Sequence, residues 1–201
     1  AADASASYES GFSVNVRMGQ VETIEFNRDR GLSVTVYFGH RQGSASTADI
    51  KASALDDTVD AACQIAKFTA EDNCAGLPDK ELLAWEYPEL ELYHPWSLQA
   101  EQAIDIAKRC EDAARAYDKR IVNSEGASIN SHQGLVMRAN SYGFRGSYQS
   151  SSHSMSCSVI AQDGKGMQRD MWYSVSRLAD ELEDAEAIGR KAAQRALKRL
   201  G

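Results

Sequence analysis

No apolar run in the sequence approaches the roughly 20 residues that a membrane-spanning helix needs, so no helical anchor and no membrane partner are expected. The first ten residues, AADASASYES, lack the charged and apolar regions of a secretory signal, and no initiator Met precedes them. Basic residues are outnumbered, with 22 Lys and Arg against 29 Asp and Glu and a net charge of −7. Without a basic block, binding of nucleic acid through its phosphates is not expected. Proline is scarce, and its three copies all fall between Pro78 and Pro95, which marks one irregular stretch rather than a loop-rich fold.

Catalytic signatures are missing as well. The four cysteines, Cys63, Cys74, Cys110 and Cys157, form no C-x-x-C pair and no zinc-ligand spacing. They are read as reduced thiols of a cytoplasmic protein, with Cys63 and Cys110 on the apolar stripes of helices. His40, His94, His132 and His153 stand outside H-E-x-x-H and H-x-x-x-H spacing. His40 and His94 are read as surface groups, and His132 and His153 as ordinary hydrogen-bonded side chains of a polar strand region. Neither a G-x-S-x-G elbow nor a phosphate-binding glycine loop occurs. No catalytic residue, no metal ligand and no cofactor is therefore assigned to this chain.

What is present is a folded composition, 43% hydrophobic and 25% charged over 201 residues, enough for one domain with a sizeable core. Phe12, Val14 and Val16 alternate with polar neighbours, Glu22, Ile24 and Phe26 share a face of the next strand, and Leu32, Val34, Val36 and Phe38 alternate with Ser33, Thr35 and Tyr37. Met18-Gly19, Arg28–Gly31 and His40–Gly43 are expected to turn between these strands, and Ser44–Thr47 forms a short fourth. Leu55, Val59, Ala62 and Ala66 mark a helix capped by Asp49 or Ser53 and ending near Phe68. A broken stretch, Thr69–Trp96, holds a short helix near Asp79–Trp85. Ala103, Ala107, Cys110, Ala114 and Tyr117 mark a second helix, beginning at Ser97, whose outer face carries Glu101, Asp105, Lys108, Glu111 and Asp112. Strands follow at about Val122–Asn130, Leu135–Asn140, Phe144–Ile160 and Met167–Val175, the last two joined by a hairpin turn at Asp163–Gly166. A helix at about Asp184–Leu200 closes the chain. The layout predicts an α+β fold in two layers, with a largely antiparallel sheet packed against helices as two similar halves, each a strand meander backed by a helix.

The most informative stretch is Lys119–Tyr148. It is polar yet alternates like a sheet, with Ser128 and Asn130 on one face and Ile129 on the other. Gly126, Gly134, Gly143 and Gly146 mark expected turns or bulges. Such a stretch is either a solvated hairpin or one wall of a polar groove. Next to it, Ser150, Ser152, Ser154, Ser156 and Ser158 line one strand face, opposite His153, Met155, Cys157 and Val159. That serine face is either solvated or laid against a partner chain or peptide. Glu125 is the one acid inside the polar strands, and its plain role is to accept backbone N–H groups at a turn.

Several segments, in order, resemble the amino-terminal domain of the PmbA/TldE branch of the TldD/PmbA family. They are Gly19-Gln20-Val21-Glu22, Glu25-Phe26-Asn27, Gly31–Tyr37, Arg41–Ser46, Cys74–Ala84, His94-Pro95, Asp118–Ile121, and Asn123–Gly134 followed by Ala139–Phe144. The resemblance covers essentially the whole chain and rests on the colinear series, since no single segment is diagnostic. It implies a single amino-terminal domain, residues 1–201, of a longer protein whose carboxy-terminal half is absent from this sequence. In this family TldD-type subunits carry an H-E-x-x-x-H motif that holds zinc, and PmbA/TldE-type subunits lack a working copy. Together they process small, largely unfolded peptides, including a microcin precursor and an antitoxin. Zinc is thus expected only in a TldD-like partner. The other expected partners are peptide substrates and the protein's own carboxy-terminal domain. Under this reading, strand addition along the polar face would hold an extended peptide. Asn123, Glu125, Ser128, Asn130, His132 and Ser154 are the candidate peptide- or partner-facing residues. The alternative is a purely structural assembly domain without peptide contact. An independent hydrolase is disfavoured by the missing motifs.

Overall fold

The computed structural model describes residues 1–164 and 166–200. It is an α+β protein with six strands and three helices. The strands are β1 (Ala2–Arg17), β2 (Gln20–Phe38), β3 (Arg41–Thr47), β4 (Ile121–Asn140), β5 (Arg145–Gln162) and β6 (Met167–Ser176). The helices are α1 (Ala52–Phe68), α2 (Ala100–Arg115) and α3 (Ala185–Lys198). Strand order is β3-β2-β1-β4-β5-β6, and the β2–β3 and β5–β6 pairs are antiparallel.

Two expected breaks are absent. Arg28–Gly31 does not turn, because β2 runs unbroken through it, and Gly31 does not adopt a positive φ. Gly134 likewise sits inside a continuous β4. Turn composition is a local preference, and the continuous strand overrides it at both places. Met18-Gly19 does turn, with φ of 52° and 76°, the double positive-φ geometry that suits a two-residue hairpin. Gly126, at φ 109°, and Gly143, at φ 89°, also need the freedom of glycine. The β5–β6 hairpin is present, but Lys165 of the expected Asp163–Gly166 turn lies outside the described residues.

The chain forms two compact units that do not follow its sequence halves. The first comprises Ala1–Glu9, Arg28–Leu92 and Gly134–Gln149. In it, α1 lies on β3 so closely that a Cβ on Gly43 would stand 2.2 Å from the Ala62 carbonyl oxygen. Val34, Val36 and Ala62 form its core, with Ala4, Leu32, Ala45 and Cys63 beside them. Neither Asp49 nor Ser53 caps α1. The N-cap is Lys51, whose side chain makes no capping bond, while Asp49 instead accepts the Lys51 N–H. The apolar stripe of α1 is also narrower than expected, because Thr58 is buried while Val59 is exposed. The short helix expected near Asp79–Trp85 is a single 3₁₀ turn, Lys80–Leu82.

The second unit comprises Ser10–Asn27, Tyr93–Gln133 and Ser150–Gly201. Phe12, Val14, Val16, Ile129, Met155, Cys157 and Val159 supply the sheet side of its core, and α2 and α3 cover them with small residues. Ala103, Ala107, Cys110 and Ala114 are fully buried, as are Ile188, Ala192, Ala193 and Ala196. Such small side chains let helix backbones approach closely. Helix α2 starts at Gln99, which makes a reciprocal capping box with Gln102, and Asp184 caps α3 by accepting the Ala187 N–H.

Candidate functional site

The polar face of the second unit gathers most of the candidate residues. In β4, Ile129 is fully buried while Ser128 and Asn130 are half-buried, as the alternation requires. Asn15 of β1 donates from Nδ2 to Ser128 Oγ at 3.0 Å. Asn130 donates from Nδ2 to Ser154 Oγ of β5 at 3.3 Å. Ser158 of β5 donates to Glu125 Oε2 at 2.9 Å, and Arg169 of β6 forms an ion pair with the same carboxylate. Ser128, Asn130, Ser154 and Glu125 thus belong to cross-strand pairs that link β1 to β4, β4 to β5, and β4 to β6.

Glu125 titrates below the ordinary carboxylate value. Partial burial works to raise it, but hydrogen bonds from Arg169 and Ser158 outweigh that effect. The carboxylate is therefore held charged and oriented. Asn123 is not part of this array, because its Oδ1 accepts the Ser124 N–H beside it. His132 is exposed and lies over Gly11, where a Cβ would stand 2.4 Å from the ring Nδ1 and 2.2 Å from Asn27 Oδ1. Glycine at position 11 is what leaves room for the ring.

Strand β6 borders this face and, among the described residues, is an edge strand paired with β5. Its register places Met171 opposite Ser158, Tyr173 opposite Ser156 and Val175 opposite Ser154. Directly opposed residues share a face, so an exposed apolar row runs beside the serine row. The serines were legible from their period of two. Their partners Asn15, Arg169 and the β6 row were not, because strand pairing is not encoded in local pattern.

The opposite face of β5 is structural. His153 is fully buried, with Nδ1 3.0 Å from Ser131 Oγ and Nε2 2.9 Å from the His94 carbonyl oxygen. A carbonyl only accepts, so Nε2 carries the proton and Nδ1 accepts the Ser131 hydroxyl. Trp96 packs edge-on against the ring at 5.5 Å. Ser151 accepts the His94 N–H at 2.8 Å and donates back to its carbonyl at 3.1 Å. His94 was expected to be a surface group, but it is half-buried and its backbone is pinned to β5 by these bonds.

The residues present do not fit a zinc site. Among the described residues no group of three or more His, Cys, Asp or Glu side chains converges as metal ligands. Both nitrogens of His153 are engaged by Ser131 and the His94 carbonyl. No described helix is long and apolar enough to cross a membrane.

Comparison with known proteins gives a consistent result. Residues 2–66 match the PmbA/TldA metallopeptidase domain 1, and residues 93–200 match the PmbA/TldA metallopeptidase central domain. The chain is 45% identical to Metalloprotease PmbA of Escherichia coli O157:H7, over 99% of this chain and 44% of that protein. It is 42% identical to a PmbA homolog of Haemophilus influenzae, over 95% of this chain and 42% of that protein. It spans under half the length of these relatives. A Bacteroides thetaiotaomicron structure, of a candidate modulator of DNA gyrase, superimposes with a TM-score of 0.89 at 26% identity, over 100% of this chain and 46% of that one. TldE from Thermococcus kodakarensis shares the fold, with a TM-score of 0.70 at 14% identity, over 98% of this chain and 44% of that one.

Proposed function

Because this chain belongs to the PmbA/TldA metallopeptidase family, we propose that it is the peptide-holding portion of a PmbA/TldE-type subunit that works with a TldD-type partner. Its sequence offers no catalytic motif and its described residues do not fit a zinc site, so no catalytic step is assigned to them. Its role is to hold and orient. The observation that carries this reading is the β5–β6 margin of the second unit. There an edge strand with exposed Met171, Tyr173 and Val175 adjoins the Ser154, Ser156 and Ser158 row and the Asn130 and Glu125 side chains.

An edge strand presents unpaired backbone N–H and C=O groups, to which an extended peptide adds as a further strand. Main-chain bonds do not depend on side-chain identity, which suits small unfolded peptides of varied sequence. Alternate peptide side chains would rest on the apolar row. The four free cysteines agree with the reducing cytoplasm that this reading assumes.

The test uses the full-length protein with its TldD-type subunit and an unfolded peptide carrying a photoreactive benzoyl group. Crosslinks to β5 and β6 are expected, along with slower peptide processing in a Tyr173→Ala, Val175→Lys double variant that still assembles. If that variant assembles and processes peptide normally, and crosslinks fall outside β5 and β6, the chain serves assembly alone and the peptide-holding reading fails.

A further inference from the structure

Helix α3 carries its charges on two different flanks. Its buried stripe is Ala185, Ile188, Gly189, Ala192, Ala193 and Ala196. On one side of that stripe Glu186 pairs with Arg190 and also meets Arg109 of α2 at 3.8 Å, so this flank faces α2. At about 3.6 residues per turn, Lys191, Arg195, Lys198 and Arg199 fall together on the other flank, and all four are exposed.

The contacts of these cations show what they lie over. Lys191 Nζ stands 5.5 Å from the centre of the Trp172 ring, and the Arg195 guanidinium stands 5.4 Å from it. Arg195 and Arg199 both pair with the Asp170 carboxylate, at 3.2 and 3.7 Å. The β5–β6 register sets Asp170 opposite Val159 and Trp172 opposite Cys157, both core residues, so Asp170 and Trp172 lie on the helix-facing side of β6. The flank turned away from α2 therefore runs along the edge strand.

The positive charge there is not cancelled. Among the described residues, Asp170 is the one carboxylate with which these four cations form ion pairs. Glu183 accepts the Trp172 indole N–H, and Asp184 is engaged by the Ala187 N–H and Arg190. Toward the far end of β6 the sign changes, since Glu181 accepts the Ser176 hydroxyl. In a chain of net charge −7, the Gln168–Trp172 half of this edge thus has a basic border.

We propose that the segment added to this edge is an acidic one: an extended peptide with Asp or Glu at alternate positions facing Lys191, Arg195 and Lys198, and apolar residues between them on the Met171 and Tyr173 side. The proposal rests on the peptide-holding reading above and names the class of peptide selected. A strand has a side-chain period of two, so one set of side chains meets α3 and the other follows the exposed apolar row. Main-chain bonds alone accept either charge, and the selection comes from α3. Asp170 does not oppose it, because two guanidiniums already neutralise that carboxylate. A basic segment would meet like charge along the whole flank.

The test uses the full-length protein without its TldD-type subunit, so that no peptide is consumed. Three unfolded peptides share alternate valines, one photoreactive benzoyl-phenylalanine and a fluorescein label, and carry Glu, Ser or Lys at the positions between. Fluorescence anisotropy should rank them in that order. The Glu peptide is expected to bind about tenfold more tightly than the Lys peptide, by a ratio that falls as salt rises. Lys191→Gln with Lys198→Gln should cut the ratio to about threefold or less. Lys51→Gln with Lys67→Gln on α1, an equal loss of charge in the first unit, should leave it unchanged. Crosslinks on β6 with equal binding of the Glu and Lys peptides would overturn the proposal and leave the peptide-holding reading standing. So would a ratio untouched by loss of Lys191 and Lys198. Crosslinks away from β5 and β6 would overturn both.

Discussion

Glu111 Oε2 accepts the backbone N–H of Gly19 at 2.7 Å, from a position on α2 that is fully buried. Its other oxygen accepts the Met18 N–H, also at 2.7 Å. The positive φ values of both turn residues leave two adjacent amides available to one carboxylate. A buried carboxylate without such donors would be strongly unfavourable, and charge-assisted bonds offset its desolvation.

Replacing Glu111 with Gln keeps the shape but sets an NH₂ group against a turn N–H. A loss of about 2–4 kcal/mol is expected, because a buried donor is left unpaired. Urea unfolding measures it, with exposed Glu101→Gln on the same helix as the control, which should change stability by less than about 0.5 kcal/mol. Equal effects at the two positions would show that Glu111 does not hold the turn.

Gly189 of α3 faces the Cys110 carbonyl of α2, and a Cβ there would stand 2.0 Å from that oxygen and 3.1 Å from the Ala114 nitrogen. In an open helix Gly→Ala stabilises by roughly 1 kcal/mol. Here the backbone contact reverses the sign, and Gly189→Ala should destabilise by about 2–3 kcal/mol as the helices separate. Gly76→Ala meets nothing within 4 Å and serves as the comparison. Thermal unfolding of the two variants decides the matter.

Asp118 sits before β4, hydrogen-bonded first by the Arg120 side chain and then by the Arg120 N–H, which together hold its carboxyl at about 2 against an ordinary 3.8. A folded value below the unfolded one favours folding above the ordinary value. That contribution therefore fades as pH falls from about 3.8 and is gone below about 2. NMR titration should find the Asp118 carboxyl still ionised at pH 3, and Arg120→Ala should return it toward 3.8.

Cys110 and Cys157 are buried together in the second unit, whereas Cys74 is exposed and Cys63 half-exposed. A hydrogen bond with Cys110 and then burial push the Cys157 thiol well above its ordinary value. Thiolate is the reactive form. Iodoacetamide should therefore modify Cys63 and Cys74 in the native protein and reach Cys110 and Cys157 only after denaturation. Mass spectrometry of the two states gives the answer directly.

Much of the fold is legible in local pattern. The alternation of Phe12, Val14 and Val16, the stripe of Ala103, Ala107, Cys110 and Ala114, and the cap at Asp184 each report a backbone period or a free helix end. The errors cluster where a local signal met a tertiary demand. Arg28–Gly31 has turn composition but lies inside β2, and Glu111 has the spacing of an outer-face residue but is buried against the Met18-Gly19 turn. The candidate site divides the same way. The Ser154, Ser156 and Ser158 row follows from a period of two, while its apolar neighbours on β6 follow only from the β5–β6 register.

The residues by themselves determined which segments are strand or helix and which side of each is apolar, because those properties depend on neighbours two to four positions away. The family likeness was equally available from the order of the segments. Tertiary structure alone decided that the compact units interleave along the chain and that a buried acid clasps a distant turn. These depend on contacts between residues far apart in sequence, and no local period carries that information.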